Sequence, residues 1–245
     1  MKRVVLPALI AMVLPLSALA QGITNSRHDL SVASLTIGPK AVTETQTCVF
    51  CHVPHSALEQ PLIWNHALPI GSRGWAAGQV TVEGTTLPAA ILPDSMRCLS
   101  CHDGTVALGE VNNAGGGAPG LIAMSGPVGA GYLVGAGPPG NEMVNTHPVS
   151  IPYAGETANG IVSQAAADNA LGNYFSVVNA GCEAVSGFCT SAPVSGTFIN
   201  LKGGALGALA VECGTCHEPH NRYPNAYFLR ATEVQSALCR ACHNK

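Results

Sequence analysis

The stretch Cys213-Gly-Thr-Cys216-His217-Glu-Pro-His220 is the most informative segment of this chain. It places two thiols and an imidazole within five residues, and a second imidazole three residues later. An earlier stretch, Cys48-Val-Phe-Cys51-His52-Val-Pro-His55, repeats the same C-x-x-C-H-x-P-H pattern. Two more C-x-x-C-H motifs lie at 98–102 and 239–243, and in the first of them the residue at that spacing is Thr105. The chain therefore carries four copies of one motif.

The C-x-x-C-H motif is the attachment signature of c-type haem. Two thiols on one helical turn form thioethers with the two vinyl groups of the porphyrin, and the adjacent histidine supplies the proximal imidazole to the iron. The sequence therefore predicts four covalent haems, numbered 1 to 4 in motif order. The predicted thioether cysteines are Cys48, Cys51, Cys98, Cys101, Cys213, Cys216, Cys239 and Cys242, and the proximal ligands are His52, His102, His217 and His243.

Other uses of paired cysteines are weaker explanations of the pattern. Eight thiols could build two structural zinc sites, but such sites do not require a histidine directly after every second cysteine. A thioredoxin-like motif would need a βαβ context, which the sequence does not indicate. Cys182 and Cys189 lie outside the motifs, and we interpret them as a disulfide, with two free thiols as the alternative.

Composition narrows the class of partner. The 245 residues include 10 Cys and 9 His, and 11 basic side chains face 14 acidic ones. A nucleic-acid or anionic-membrane partner would need a basic stripe, which this balance argues against. Aromatic residues make up only 5% of the chain. A conventional core would therefore have to be built from Ala, Val and Leu. Since no long amphipathic period predicts much regular structure, the porphyrins are expected to supply the missing apolar core.

The N-terminus indicates export. Lys2 and Arg3 precede an apolar run from Val4 to Leu16, and Ala18-Leu-Ala20 forms a small-residue cleavage site. This pattern predicts a signal peptide over residues 1–20, and the run is too short for a membrane span. We expect an exported mature chain without a membrane span, at the cell exterior or outer-membrane surface, with the periplasm as the alternative.

Five histidines remain for the opposite faces of the irons. Residues three apart lie on one helical face, so His52 and His55 cannot flank the same ring. We therefore expect His55, and likewise His220, to be a distal ligand of a different iron. Spacing leaves the other three, His28, His66 and His147, open between ligands and surface or propionate-binding imidazoles. Methionine is the rival distal ligand, from Met96, Met124 or Met143.

The ordered segments H-D-L-S, C-V-F-C-H-x-P-H, P-L-x-W-N-H, C-L-S-C-H-D-G, H-P-V, C-x-x-C-H-x-P-H and F-L-R, with a terminal C-x-x-C-H, resemble a known family. They are similar to the tetrahaem cytochromes that polymerise into extracellular filaments, the outer-membrane-associated E-type cytochromes of metal-reducing bacteria. The general family of doubled C-x-x-C-H cytochromes shares many of these features. The resemblance implies that His28, His55, His147 and His220 are the distal ligands and that His66 is a spare or an alternative.

The expected fold is a multihaem cytochrome c, mostly irregular, with short helices at the C-x-x-C-H sites, few short strands and a core organised by haem. Residues 21–245 form a single domain, with haem-dense ends at 21–110 and 205–245 and a Gly/Ala-rich insert at 111–204. Within the insert, a helix is plausible at 164–171 and a strand at 196–201.

The expected function is electron transfer rather than catalysis, because an iron held by two histidines has no open position for a substrate. The first hypothesis is a filament subunit in which at least one distal histidine comes from a neighbouring chain. Redox partners would be other cytochromes or extracellular acceptors. The alternatives are a monomeric periplasmic electron shuttle and a multihaem reductase with one open iron.

Overall fold

A computed structural model describes residues 22–53, 63–69, 74–75, 78–81, 84, 86–114, 118–127, 133–134, 143, 146–153, 202–203, 209–223, 225–240 and 242–243. The predicted signal peptide, His55, the Cys182/Cys189 pair and the helix and strand expected within 164–171 and 196–201 lie outside these residues. Among the described residues, no helix has the length and apolar character that crossing a membrane requires.

Regular structure is sparse, which confirms the expectation of a loop-rich fold. Within the described residues the helices are α1 (Pro93–His102), α2 (Cys213–Cys216) and α3 (Ala237–Arg240), with 3-10 turns at Ala226–Phe228 and Val234–Ser236. The strands in the same part of the chain are β1 (Lys40–Ala41), β2 (Glu110–Val111), β3 (Gly120–Leu121), β4 (Met124–Ser125), β5 (Ile151–Pro152), β6 (Lys202–Gly203) and β7 (Leu209–Val211). Motif 2 lies at the end of α1 and motif 3 begins with α2, as expected, whereas α3 ends at Arg240 within motif 4.

The strands form small antiparallel ribbons that pin distant loops together. β1 pairs with β4, with Lys40 opposite Ser125, and β2 pairs with β3, with Glu110 opposite Leu121. In the third sheet β7 lies between β5 and β6. This pairing joins β5 to the strand that immediately precedes α2. Ladders of two or three residues are too short to be stable alone, which implies that tertiary packing holds them.

Helix α1 has clear local signals at both ends. Pro93 occupies the first turn, where its missing N–H costs nothing, and Asp94 places a carboxylate near the positive end of the helix dipole. Asp94 also pairs with Arg97 at 2.6 Å. After the last turn Gly104 adopts a left-handed φ of 76°, a conformation that ends helices and favours glycine. These residues fix where motif 2 ends.

The apolar core of the described residues is small and lies beside α1. It consists of Trp75, Ile91, Leu99, Met143 and Val149. Buried polar side chains are numerous around it, among them Asn65, Ser95, Ser100 and Glu212. Helix α2 packs against α1, so the two haem-dense ends of the chain meet directly.

Candidate haem centres

Each motif folds into one tight turn that gathers its two thiols and its imidazole. In motifs 1, 3 and 4 the backbone N–H of the histidine donates to the carbonyl of the first cysteine, at 2.8, 3.0 and 2.9 Å. Motif 2 has the same arrangement within α1. Motif 1 departs from the expected helix: it is a turn, and His52 pairs with Trp64 in an isolated antiparallel bridge.

The structure brings the predicted proximal and distal histidines together in three pairs. The ring centroids of His52 and His220 are 6.1 Å apart, with nearly parallel planes at 12°. His28 lies 6.1 Å from His102 at an interplanar angle of 58°. His147 lies 6.1 Å from His243 at 64°. Three pairs from unrelated parts of the chain thus share one separation.

That separation fits a metal bound on opposite sides by two imidazoles. With a metal–nitrogen bond of about 2.0–2.1 Å, a ring centroid lies about 3.2 Å from the metal, so two trans imidazoles have centroids about 6.3 Å apart. The observed distances of 6.1 Å lie close to the separation that two imidazoles on opposite sides of one iron would have.

The fourth proximal histidine, His217, lies outside these three pairs. Its Nδ1–H donates to the carbonyl of Tyr227 at 2.9 Å. Tyr227 and Phe228 both adopt left-handed backbone with φ of 57°, which aromatic residues rarely do. This backbone presents the Tyr227 carbonyl to His217 and the Phe228 ring to His28, whose centroid lies 4.5 Å away. Unusual backbone here supports two candidate ligands at once.

Hydrogen bonds fix the ring orientation of the distal candidates. The Nδ1–H of His28 donates to the carbonyl of Pro219 at 3.0 Å, and that of His147 to the carbonyl of Pro148 at 2.8 Å. A donor role for Nδ1 leaves the lone pair on Nε2, the tautomer that binds a metal. Burial, as the largest effect, lowers the pKa of His28, which keeps its ring neutral as ligation requires.

His220 differs from these residues because its Nδ1–H donates to a carboxylate. The acceptor is Oε1 of Glu218, at 2.9 Å. Oε2 of the same carboxylate accepts from the backbone N–H of Arg222 at 2.8 Å. Burial of Glu218 opposes its ionisation, but the hydrogen bonds from His220 and Arg222 outweigh it and lower the pKa of Glu218 to about 2. Sequence reasoning missed this contact.

The segment from His217 to His220 therefore contributes to three candidate haem sites. His217 is the proximal candidate of haem 3, and His220 lies opposite the proximal candidate of haem 1. Between them, the Pro219 carbonyl orients His28 at the site of haem 2. Four consecutive residues thus connect three of the four motifs.

His66 is placed differently from every paired histidine. His66 is 0% exposed, and its Nδ1–H donates to the carbonyl of Ala67 at 3.0 Å. Nε2 is enclosed by protein and has no hydrogen-bond partner. His66 also forms an antiparallel bridge with Val111. Since a porphyrin needs open space at Nε2, this geometry supports the interpretation of His66 as the spare histidine.

None of the eight motif cysteines is in a disulfide. A hydrogen bond between Cys98 and Cys213 raises the pKa of the first and lowers that of the second. Burial, with a smaller effect from Cys51, raises the pKa of Cys101 to about 12. Burial and then Cys216 raise that of Cys242 to about 12. Together with the packing of α1 against α2, the interaction of Cys98 with Cys213 places motif 2 beside motif 3.

An apolar cavity of about 440 Å³ opens beside Cys101 of motif 2. Its wall includes Val106, Leu108, Ile122 and Leu133. A concave apolar surface next to an attachment thiol is suited to the face or edge of a macrocycle. The residues present at this site therefore fit a covalently attached haem.

The motifs, the paired imidazoles and the apolar cavity are the features of a c-type multihaem cytochrome, which binds haem covalently and transfers electrons. Residues 207–245, which include motifs 3 and 4, match the family model of the doubled CXXCH motif. Comparison with curated proteins gave no match.

Proposed function

We propose that this protein conducts electrons through four c-type haems, each held by two histidines. The observation that carries the proposal is the common 6.1 Å separation of three histidine pairs. The proposed axial pairs are His52 with His220 at haem 1, His102 with His28 at haem 2, and His243 with His147 at haem 4. His55, from the sequence alone, is the proposed partner of His217 at haem 3.

The haems would supply one-electron Fe(III)/Fe(II) chemistry, and the residues of this chain would hold each ring rigidly from both sides. Backbone carbonyls fix the rings of His28, His147 and His217. Two fixed imidazoles leave no coordination position for a substrate. The arrangement therefore favours electron transfer over the alternative of a reductase, and we propose that the protein is not an enzyme.

Adjacency of the motifs supports conduction across the whole chain. Helix α1, which carries motif 2, packs against α2, which carries motif 3, and His220 lies 6.1 Å from His52 of motif 1. Porphyrins attached at these motifs would therefore lie near one another. Electron-transfer rates fall steeply with distance, and short gaps would permit transfer from one end of the protein to the other.

We further propose that the protein acts as the subunit of an extracellular filament, on the strength of the resemblance described above. Leu35 and Ile37, which are 84% and 87% exposed, offer apolar surface to a second copy. A head-to-tail contact that does not close on itself would produce an open polymer. The second candidate is a monomeric shuttle, favoured by the proximity of His28 and His147 to proximal histidines of the same chain.

The filament and the monomeric shuttle differ in whether any distal histidine comes from a neighbouring chain. Pairing within one chain supports ligation in cis at haems 2 and 4. An imidazole from a neighbouring chain would then serve haem 3, or would arrive through exchange of the N-terminal segment that carries His28. Exchange would preserve the contacts of this segment, such as the hydrogen bond from Asn221 to the Gly22 carbonyl at 3.3 Å.

The test is a pyridine haemochrome assay on matured, exported protein, followed by electron paramagnetic resonance (EPR) and negative-stain microscopy. We expect four haems per chain, only low-spin iron and filaments. Fewer than four haems, or a high-spin iron that binds carbon monoxide rapidly, would contradict the bis-histidine conduit. Monodisperse particles at high concentration would contradict the filament and support the shuttle.

A further inference from the structure

The two C-x-x-C-H-x-P-H motifs differ at the residue between the two histidine positions. Motif 1 has Val53 there, whereas motif 3 has Glu218. Glu218 is only 5% exposed, although it is a carboxylate. A buried carboxylate is costly unless its oxygens are satisfied, so its contacts indicate what it does.

Both oxygens of Glu218 have partners, and one of them is the candidate distal ligand of haem 1. Oε1 accepts the Nδ1–H of His220 at 2.9 Å, and Oε2 accepts the backbone N–H of Arg222 at 2.8 Å. The Arg222 Nε lies 3.9 Å from Oε1, on a side chain that is 42% exposed. By contrast, the Nδ1–H groups of His28, His147 and His217 donate to backbone carbonyls.

A carboxylate acceptor changes an imidazole more than a carbonyl does. It draws the Nδ1 proton toward itself, which raises the electron density and basicity of the opposite nitrogen. A more basic axial ligand stabilises Fe(III) relative to Fe(II), and hydrogen bonding to ligands is one of the means by which proteins set haem potentials. The guanidinium of Arg222 acts in the opposite direction, because a cation near the carboxylate weakens its pull on the proton.

We infer that Glu218 is a tuning residue that lowers the reduction potential of haem 1 through its hydrogen bond to His220. This inference rests on the proposed function, in which His52 and His220 are the two axial ligands of that iron. The exchange of valine for glutamate between the two motifs would then make the irons served by His55 and His220 electronically unequal. Such inequality gives a chain of haems a preferred site for the oxidised state.

The experiment is a potentiometric titration of the purified holoprotein, monitored by EPR so that each haem is followed by its own signal. The variants are Glu218→Gln, which keeps the shape and removes the charge, and Arg222→Gln, which removes the opposing cation at an exposed position. Glu233→Gln, at an exposed residue of similar charge, is the control.

We expect Glu218→Gln to raise one of the four midpoint potentials and to leave the other three near their original values. An effect of about tenfold on the ratio of oxidised to reduced iron corresponds to about 59 mV for a one-electron couple. Arg222→Gln should lower the same midpoint, and Glu233→Gln should move none. The affected signal should belong to a haem with nearly parallel imidazoles, because the planes of His52 and His220 meet at 12°.

Unchanged midpoints in Glu218→Gln, or an equal shift of all four, would overturn the inference while leaving the conduit intact. If Glu218→Gln does not incorporate four haems, Arg222→Gln decides, and an unmoved midpoint in that variant rejects the tuning role. Failure of the proposed function would be distinguishable, since the unsubstituted protein itself would then lack low-spin bis-histidine signals.

Discussion

The N-terminal segment that carries His28 is held by one buried carboxylate, and its removal gives a sharp prediction. Asp29 is 2% exposed. Its Oδ1 accepts from the Ser31 N–H at 3.2 Å, the Ser31 hydroxyl at 2.7 Å and the Thr47 hydroxyl at 3.2 Å. Its Oδ2 accepts from the Asn25 N–H at 2.7 Å. The carboxylate therefore organises the loop on both sides of His28.

The substitutions Asp29→Ala and Asp29→Asn distinguish what the two carboxylate oxygens contribute to stability. Alanine leaves both buried donors of Ser31 without an acceptor, and at about 1–3 kcal/mol for each we expect a loss of about 2–6 kcal/mol in the free energy of unfolding. Asparagine keeps Oδ1 and sacrifices only the contact with Asn25. It should therefore cost about 1–2 kcal/mol.

Denaturant unfolding of the holoprotein, followed by circular dichroism, measures both costs. Loosening of this segment should also withdraw His28 from the iron of haem 2, so reduced Asp29→Ala should bind about one equivalent of carbon monoxide more than Asp29→Asn. An alanine variant with the stability of the original protein and no carbon monoxide binding would refute the reasoning.

Three further predictions concern the irons and one buried acid. The two histidine pairs with interplanar angles of 58° and 64° should give EPR signals with a larger maximum g value than the pair at 12°. The reason is that steeply crossed imidazole planes leave two iron d orbitals nearly degenerate. Four identical signals would contradict this prediction. His147→Ala should open one iron to carbon monoxide, whereas His66→Gln should open none; absorption spectra of the reduced proteins test both. Burial raises the pKa of Glu212 in the folded protein above its ordinary value of 4.5. The free energy of unfolding is therefore highest below pH 4.5, where Glu212 is protonated in both states. It decreases as the pH rises through the pKa of Glu212 in the folded protein. Glu212→Gln should remove this dependence in thermal unfolding between about pH 4 and pH 8, and parallel curves for the two proteins would show that Glu212 does not cause it.

The attachment chemistry was predictable from sequence because it is local. Two cysteines and a histidine within five residues must share a turn wherever the chain goes, and the separation of His217 from His220 already excluded a common ring. The helical turns at motifs 2 and 3 follow from the same local geometry. Pro93 and Gly104 also mark the ends of α1 by residue type alone.

The pairing of histidines could not be predicted, because it is set by packing between distant segments. Nothing near His52 in sequence specifies His220 as its neighbour, and strands of two residues have no periodicity to detect. The sequence could in principle have drawn attention to Glu218. Comparison of the two C-x-x-C-H-x-P-H motifs shows a carboxylate where the other has valine, but only the folded contact shows that this carboxylate binds His220.

In the proposed arrangement the tetrapeptide from His217 to His220 would contribute to three haem sites, so these redox centres would not be modular. A fragment that ended before motif 3 would retain the covalent anchors of haems 1 and 2 but would lose one imidazole and the carbonyl that orients the other. Lengthening this tetrapeptide by a single residue would disturb three coordination spheres at once. In the proposed arrangement, synthesis of the third motif would complete the ligand sets of haems attached far earlier in the chain.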